Sequence, residues 1–280
     1  MPLGTITAGD GVNLAVDDRK LSDPRGRVVV VHGYAEHLGR YDEFVSRLEA
    51  RNFECHRFDL RGHGRSGGIA AHVARFDEYV DDLRAVIDRA RSAEGDGGAF
   101  FVVGHSLGGL IALETIRRRP ESCDGLAVSS PFLRRGFEVS RVQKVLASIA
   151  SHVAPTLSLE TPLDPAMVSN DPGVVAAYAN DPLVLHSTTP RWFTEVEAAQ
   201  REICAHAAEV VVPTLMLLGE SDQIADALLA AEVFERIGSA DKTLKRYAGM
   251  RHEVFNETER SLVYADLITW LEARSRPRGG

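Results

Sequence analysis

Apolar residues follow two kinds of spacing along this chain, and the two kinds alternate. Short, almost continuous apolar runs are typical of strands buried on both faces, whereas apolar residues that recur every three or four positions are typical of amphipathic helices. The strands predicted in this way are residues 5–7, 12–17, 27–31, 53–58, 100–103, 125–130, 214–218 and 242–247, and the helices are residues 41–48, 76–90, 225–237 and 257–272. This alternation predicts an α/β fold with a mostly parallel central sheet flanked by helices. The first two strands, separated by Gly9-Asp10-Gly11, are predicted to form a hairpin.

The alternation stops in the middle of the chain. Residues 132–208 have helical spacing interrupted by prolines, and we predict no strand among them. One helix of this segment is predicted from five apolar residues that fall on one face, which are Val142, Val145, Leu146, Ile149 and Val153. A second helix is predicted to begin at Pro190, with Thr189 as its N-cap. We therefore predict a core made of residues 1–131 and 209–280, a helical insertion at residues 132–208, and a loose tail at 275–280.

Composition and charge narrow the class of protein. Hydrophobic residues make up 44% of the chain and charged residues 26%, as in ordinary globular proteins. The net charge of −8 argues against nucleic acid as a partner. No apolar run approaches the ~18 residues needed to span a bilayer, and residues 1–16 lack the features of a signal peptide. Cys55, Cys123 and Cys204 have neither metal nor redox spacing, so we expect reduced cysteines in a cytoplasmic protein.

The first candidate for chemistry is the sequence Gly104-His105-Ser106-Leu107-Gly108. It follows the predicted strand 100–103 and is followed at once by a helix-forming segment, which is the context of a nucleophile elbow. Glycines at both ends of the motif remove the side chains that would collide where the helix folds back on the strand. Ser106 is then expected at a helix N-terminus, where backbone N–H groups and the helix dipole favour a developing negative charge.

A serine nucleophile needs a base, and the base needs an acid that orients it. In one known arrangement the three groups follow in the order serine, acid, histidine, each on a loop after a strand. Asp222 lies in the loop after strand 214–218, and His252 lies in the loop after strand 242–247, so both are predicted at the sheet edge where Ser106 emerges. Glu220 and Asp226 compete with Asp222 for the role of the acid.

The loop that follows strand 27–31 is predicted to complete the site. The oxyanion formed during acyl transfer needs two N–H donors, one from the residue after the nucleophile and one from this early loop. The sequence therefore predicts the backbone N–H groups of Leu107 and Tyr34 as the oxyanion hole. His32 and His63 lie in glycine turns, where we expect them to hydrogen-bond the loop backbone rather than to act as the base.

Several motifs of this chain occur together in one known protein family. Residues 32–41 match the pattern H-G-x-x-E-H-x-x-R-Y, and residues 104–108 match a G-H-S-x-G elbow. Similar matches occur at residues 59–66 (D-x-x-G-H-G-x-S), 180–183 (N-D-P-L), 219–222 and 251–253. The matches extend over nearly the whole chain, and the block at 32–41 is far more specific than the elbow alone. In these motifs the chain resembles the monoacylglycerol lipases and microbial lysophospholipases of the α/β-hydrolase superfamily.

The resemblance implies an α/β-hydrolase fold and a serine hydrolase that cleaves carboxylic esters of acyl chains, such as monoacylglycerols or lysophospholipids. It implies that the insertion at residues 132–208 is a helical cap (lid), which forms a channel for an acyl chain and a glycerol-like head group. It also implies transient contact of this cap with a membrane surface. The expected partner is a small-molecule acyl ester, and the mechanism needs no metal or organic cofactor. The apolar residues that we predict to line the channel are Leu133, Phe137, Leu157, Leu159, Trp192 and Phe193.

Other functions on the same scaffold stay open. An aminopeptidase would need carboxylates near Ser106 that bind a peptide N-terminus, and Glu160, Asp164 and Glu195 are the candidates. An amidase or an acyltransferase would use the same catalytic groups as the esterase. A non-catalytic ligand receptor is less consistent with the sequence, because a pure binding protein has no need for serine, acid and histidine together.

Overall fold

The computed structural model describes residues 3–92, 98–137, 140–161 and 163–275, so the predicted tail lies outside the described residues except for Ser275. One sheet of the described residues contains the strands β1 (Gly4–Thr7), β2 (Asn13–Arg19), β3 (Gly26–Val31), β4 (Phe53–Phe58), β5 (Ala99–His105), β6 (Gly125–Ser129), β9 (Thr214–Gly219) and β10 (Lys242–Tyr247). Their order in the sheet is β1-β2-β4-β3-β5-β6-β9-β10, and β2 alone runs antiparallel to its neighbours. The predicted hairpin and the predicted mostly parallel sheet are both confirmed.

Helices cover both faces of the sheet. They are α1 (Asp42–Glu49), α2 (Asp77–Ser92), α3 (Leu107–Arg118), α7 (Ala227–Arg236) and α8 (Arg260–Arg274). Successive residues of a strand point to opposite faces, so Phe100 and Val102 of β5 join one core layer, whereas Phe101 and Val103 join the other. The runs of apolar residues in the central strands therefore reflect burial on both sides.

For the four helices predicted outside residues 132–208, the predicted starts lie one to three residues too early, because the sequence pattern does not separate a capping residue from the helix that it caps. Asp226, for example, is the N-cap of α7, and its side chain accepts a hydrogen bond from the Leu229 N–H at 2.9 Å. The predicted start at Pro190 is correct, since Thr189 caps that helix and its side chain accepts from the Trp192 N–H.

The parallel strands end at a common edge. Val31 of β3 is in register with Gly104 of β5, and Tyr247 of β10 is in register with Gly219 of β9. As a result, the loops after β3, β5, β9 and β10 all leave the sheet on the same side, and these are the loops that contain the predicted chemical groups.

The segment between β6 and β9 contains α4 (Arg141–Val153), α5 (Pro172–Asn180) and α6 (Pro190–His206). It also contains two short paired strands, β7 (Leu159–Glu160) and β8 (Ser187–Thr188), so the prediction that this segment has no strand is wrong. Two-residue strands are too short to produce the alternating pattern from which strands are predicted. Among the described residues, no helix is both long and apolar enough to cross a membrane.

Candidate active site

Ser106 lies at a sharp turn between β5 and α3. Its backbone has φ 52° and ψ −117°, a conformation with positive φ that a residue with a side chain rarely adopts. Three hydrogen bonds fix this turn: the Ser106 N–H donates to Ser129 O at 3.0 Å, and the Leu110 and Phe132 N–H groups donate to Ser106 O at 3.1 and 3.0 Å. Strain of this kind persists only where the surrounding structure holds it, and it is common at active sites.

The two glycines of the motif allow α3 to pack directly on the strands. A Cβ atom at Gly104 would lie 2.7 Å from the carbonyl carbon of Gly108, and one at Gly108 would lie 2.6 Å from the carbonyl carbon of Val31. Both positions are closed by backbone rather than by side chains that can move aside. The sequence motif therefore reflects a steric requirement at each glycine.

His252 and Asp222 are in direct contact. The Nδ1 atom of His252 lies 2.7 Å from Oδ2 of Asp222, and both side chains are almost completely buried. The other carboxylate oxygen of Asp222 accepts hydrogen bonds from the Ile224 and Ala225 N–H groups at 2.8 and 2.9 Å, which fixes the carboxylate in place. With a proton on Nδ1 facing the carboxylate, Nε2 of His252 is free to accept one.

Backbone contacts hold the Asp222 and His252 loops together. The Glu220 N–H donates to Tyr247 O at 3.0 Å, and the Ser221 N–H donates to Met250 O at 2.9 Å. A Cβ atom at Gly219 would lie 2.7 Å from Met250 O, so this close approach requires glycine.

The two competing acids have other roles. Glu220 is exposed and pairs with Arg246 at 3.0 Å, whereas Asp226 caps α7 and pairs with Arg134. Neither carboxylate forms a hydrogen bond with His252.

Ser106 and His252 line the same cavity, but within the described residues Ser106 Oγ makes no hydrogen bond with His252. Such bonds are often long before substrate binds, so the geometry is compatible with a nucleophile and its base. The backbone N–H groups of Leu107 and Tyr34 also have no hydrogen-bond acceptor within the described part of the chain. The Tyr34 side chain points elsewhere: its hydroxyl donates to Ser187 O at 3.0 Å and lies 3.1 Å from Thr161 Oγ1.

A buried cluster of charges supports this site. Glu36 accepts hydrogen bonds from the Gly33 N–H at 2.5 Å, from the Tyr41 hydroxyl at 2.8 Å and from Arg40 at 3.1 Å. Arg40 also binds both carboxylate oxygens of Glu253, at 2.5 and 2.8 Å. The H-G-x-x-E-H-x-x-R-Y pattern therefore encodes a network that fixes the loop carrying the Tyr34 N–H and ties it to the loop carrying His252.

Electrostatics favour the charged form of His252. Burial alone would lower the pKa of this imidazole, but the Asp222 carboxylate, helped by Glu253 and Glu36, outweighs burial and raises the pKa above its ordinary value of 6.5. His105 packs its ring against His252, with the ring centroids 4.8 Å apart. Burial and the neighbouring His252 lower the pKa of His105 to about 4, so His105 is neutral.

The predicted roles of His32 and His63 are confirmed. His32 Nε2 accepts from the Leu60 N–H at 2.9 Å, and His63 Nδ1 lies 3.0 Å from Arg61 O. Burial lowers the pKa of His32 to about 4 and that of His63 to about 3, so both support loop backbone as neutral side chains.

The cavity above Ser106 has a volume of about 390 Å³ and a mostly apolar lining. Phe137, Trp192 and Phe193 line it, as the sequence predicted. The prediction is wrong for Leu133, Leu157 and Leu159. Leu133 is buried in the hydrophobic core, whereas Leu157 and Leu159 are 51% and 41% exposed on the outer surface. Hydrophobicity alone does not tell which side of a segment faces inwards.

Other residues that line the cavity were not predicted from the sequence. Tyr178 presents a buried hydroxyl without a hydrogen-bond partner among the described residues, and its ring lies under the Arg40 guanidinium at 4.7 Å. Arg135 also lines the cavity. No motif marks either residue, because both reach the cavity only through the packing of the segment after β6. The described residues contain no group of three or more metal-binding side chains.

Comparisons with known proteins agree with this geometry. A family profile described as serine aminopeptidase, S33, matches residues 22–259. The monoacylglycerol lipase of Mycolicibacterium smegmatis is 36% identical over 251 residues, which cover 89% of each chain, and the human monoglyceride lipase is 31% identical over 260 residues, which cover 91% of this chain and 85% of the human one.

A solved structure is similar to this chain over nearly its whole length. The crystal structure of a monoacylglycerol lipase from Paleococcus ferrophilus superimposes with a TM-score of 0.86 and 30% sequence identity, over 94% of this chain and 99% of that one. The sheet order and the strained turn at Ser106 agree with the fold of these relatives. The chain therefore belongs to the monoacylglycerol lipase family of the α/β-hydrolase superfamily.

Proposed function

We propose that this protein hydrolyses carboxylic esters of acyl chains, such as monoacylglycerols or lysophospholipids, through an acyl-enzyme on Ser106. The observation that carries the proposal is the strained Ser106 turn facing the same cavity as a histidine bound to a buried carboxylate. His252, oriented by Asp222, takes the Ser106 proton as the hydroxyl attacks the ester carbonyl. The Leu107 and Tyr34 N–H groups stabilise the oxyanion, and His252 then protonates the leaving alcohol before water completes the cycle.

The cavity supports an ester with one long apolar arm and one polar arm. Trp192 and Phe193 provide apolar surface, and the Tyr178 hydroxyl supplies a hydrogen bond for a polar leaving group. In this proposal residues 132–208 act as a cap over Ser106. Contacts with the core support that role, since Leu185 N donates to Ala35 O at 3.0 Å and His37 Nε2 lies 2.8 Å from Asp181 Oδ2.

An aminopeptidase activity has less support. Glu160 and Asp164 are exposed, and the Glu195 carboxylate accepts a hydrogen bond from the Phe76 N–H and pairs with Arg191. None of the three lines the cavity. The carboxylates that do line it, Glu36 and Glu253, already bind Arg40, so the described residues offer no free carboxylate for a peptide N-terminus.

The test is turnover of a monoacylglycerol, p-nitrophenyl butyrate and an aminoacyl p-nitroanilide by the wild type and by Ser106→Ala. We expect the two esters to be hydrolysed, and we expect the variant to lose at least about 10⁴-fold in kcat. A fluorophosphonate should label the wild type at Ser106 and leave the variant unlabelled. Wild-type esterase activity in Ser106→Ala would overturn the assignment, and an unlabelled wild type would revive the receptor function.

We further propose that α4 contacts a membrane surface. Five of its apolar side chains, Val142, Val145, Leu146, Ile149 and Val153, are 55% to 76% exposed. Phe137, which precedes α4 in the chain, is 54% exposed and also lines the cavity, so it adds exposed apolar surface at the cavity wall. Lipid is the matching occupant because the proposed substrates reside in lipid aggregates, and an amphipathic helix binds there through its apolar face.

Substitution of the α4 surface tests this contact. Leu146→Asp should weaken binding to phosphatidylcholine vesicles and lower turnover of monoacylglycerol in those vesicles, while turnover of soluble p-nitrophenyl butyrate is retained. Leu262→Asp on α8 is the matched control, because Leu262 is 57% exposed and Leu146 is 59% exposed. Equal effects of the two variants on vesicle binding would contradict the proposal.

We also propose a cytoplasmic location. Cys55, Cys123 and Cys204 are all free thiols, and two of them are buried, as is usual in a reducing compartment. Cell fractionation with an antibody against the chain tests this, and recovery in the secreted fraction would contradict it.

A further inference from the structure

We propose that Arg135 forms an oxyanion-binding subsite in the cavity wall, and that this subsite selects ester substrates that carry a carboxylate or a phosphate away from the scissile bond. The inference rests on the proposed esterase function and adds a substrate class to it. Among the described residues, Arg135 is the only lysine or arginine that lines the cavity of Ser106.

The surroundings of Arg135 leave its charge incompletely satisfied. The side chain is 12% exposed, yet its guanidinium donates no hydrogen bond within the described part of the chain. Its ion-pair partner there is Glu197, at 3.6 Å, which is beyond normal hydrogen-bond distance for these groups. Glu197 is itself shared with Lys144, at 3.9 Å. A buried guanidinium with five N–H donors and one distant partner has strong remaining capacity to bind an oxyanion.

The guanidinium of Arg135 packs on Phe193, an aromatic residue that also lines the cavity. Its central carbon lies 3.9 Å from the centroid of the Phe193 ring, so the ring provides a cation–π contact. The N–H groups of a guanidinium radiate in its plane, and a planar fork of this kind matches a carboxylate or a phosphate with two parallel hydrogen bonds.

The backbone of Arg135 is anchored beside the catalytic groups. It forms a β-bridge with Ala225, whose N–H donates to the Asp222 carboxylate, and the following Gly136 N–H donates to Ile224 O at 2.9 Å. Burial lowers the pKa of Arg135 and Glu197 raises it, with burial the larger effect. An arginine remains protonated in proteins, so the subsite keeps its positive charge at any working pH.

The neighbouring arginine provides a matched control. Arg134 is 60% exposed and donates two hydrogen bonds to Asp226, at 2.6 and 2.9 Å. It does not line the cavity. The substitutions Arg134→Met and Arg135→Met therefore make the same change in charge and side-chain type at adjacent positions, one outside the cavity and one inside it.

The experiment compares kcat/KM for two pairs of esters whose acyl chains are short enough to stay monomeric. The first pair is a 1-acylglycerol phosphate and the matching 1-acylglycerol, which tests a phosphate head group. The second pair is a p-nitrophenyl ester with a terminal carboxylate on its acyl chain and the matching ester with a terminal methyl group, which tests a carboxylate on the acyl chain. Within each pair the scissile ester is the same, so the ratio of anionic to neutral turnover reports on recognition.

We expect Arg135→Met to lower this ratio about 10- to 100-fold in one pair, as for the loss of a hydrogen bond to a charged group, and that pair identifies the source of the oxyanion. Arg135→Lys should give an intermediate ratio, because lysine keeps the charge but loses the fork. Glu197→Gln should raise the ratio, because it removes the competing carboxylate. Arg134→Met should leave the ratio unchanged.

The subsite is overturned if Arg135→Met and Glu197→Gln leave both ratios within about twofold of the wild type, or if Arg134→Met shifts them equally. A purely structural role of Arg135 would lower the turnover of both members of a pair together. Failure of the proposed esterase function is seen separately, as absence of turnover of all four esters by the wild type. Equilibrium binding of the same esters to Ser106→Ala then measures the contribution of Arg135 without turnover.

Discussion

Replacing Gly108 by alanine tests the elbow directly, because the added methyl group has no space. The new Cβ atom would lie inside van der Waals contact with the carbonyl oxygens of Val31 and His32, and 2.6 Å from the carbonyl carbon of Val31. All three atoms belong to the backbone that leads into the Tyr34 loop. No side-chain rotation relieves the overlap, so α3 and this loop must separate by roughly 1 Å, since close-packed interiors leave no slack.

The magnitude follows from that separation. Overpacking of a buried site costs about 1–3 kcal/mol of folding free energy, and a clash with backbone belongs at the upper end. Alanine in place of glycine near the start of α3 returns at most about 1 kcal/mol in helix propensity. A displacement of ~1 Å between the nucleophile and the oxyanion donors costs about 10²-fold in rate. We therefore expect a net loss of about 2 kcal/mol in unfolding free energy and a kcat about 100-fold lower.

The assay combines urea unfolding, followed by circular dichroism, with turnover of p-nitrophenyl butyrate below the unfolding transition. Gly9→Ala is the control, because a Cβ atom at Gly9 has no heavy atom within 4 Å. This variant should match the wild type in both measurements. Wild-type kcat in a folded Gly108→Ala protein would refute the argument that the close approach of α3 to the early loop sets the catalytic geometry.

Three further predictions concern His252 and the carboxylates around it. Asp222→Asn should keep the hydrogen bonds from the Ile224 and Ala225 N–H groups but turn an amide towards His252, which favours the wrong tautomer of the imidazole. The steady-state kcat should therefore fall about 10⁴-fold while the melting temperature stays unchanged. A loss in kcat below tenfold would contradict the role of Asp222. Protonated His252 cannot act as a base, and its pKa is raised, so kcat/KM should fall as the pH drops through a midpoint above 6.5. Glu36→Gln removes a charge that raises this pKa, so the midpoint measured in a pH–rate profile should move to lower pH, and a constant midpoint would exclude that contribution.

The parallel core was predictable because its signals are local. Strands buried on both faces need continuous apolar runs, and helices that cover a sheet need an apolar stripe, so both are visible in windows of a few residues. The positions of Ser106, Asp222 and His252 after such strands were also readable, because the chain order of strand and loop determines which edge each loop leaves. The 2.7 Å contact between His252 and Asp222 required the backbone pairing of their loops.

The segment after β6 shows where local signals fail. The apolar stripe of α4 predicted a helix correctly, but its apolar face is exposed, and the sequence alone does not tell an inward face from an outward one. For the same reason Leu157 and Leu159 were predicted in the channel although they lie on the outer surface. Single residues such as Arg135 and Tyr178 reach the cavity through contacts between segments far apart in the chain, and no motif records such contacts.

The sequence by itself determined the fold class, the elbow with its glycines and the order of the three candidate catalytic groups, because each depends on spacing along the chain. The tertiary structure decided which side chains line the cavity and how Glu36, Arg40 and Glu253 share a buried charge network. It also decided that Arg135 lines the cavity while Arg134 pairs with Asp226. The physical reason is that burial and partner choice are set by the packing of distant segments, and adjacent residues of the same type can end on opposite sides of a wall.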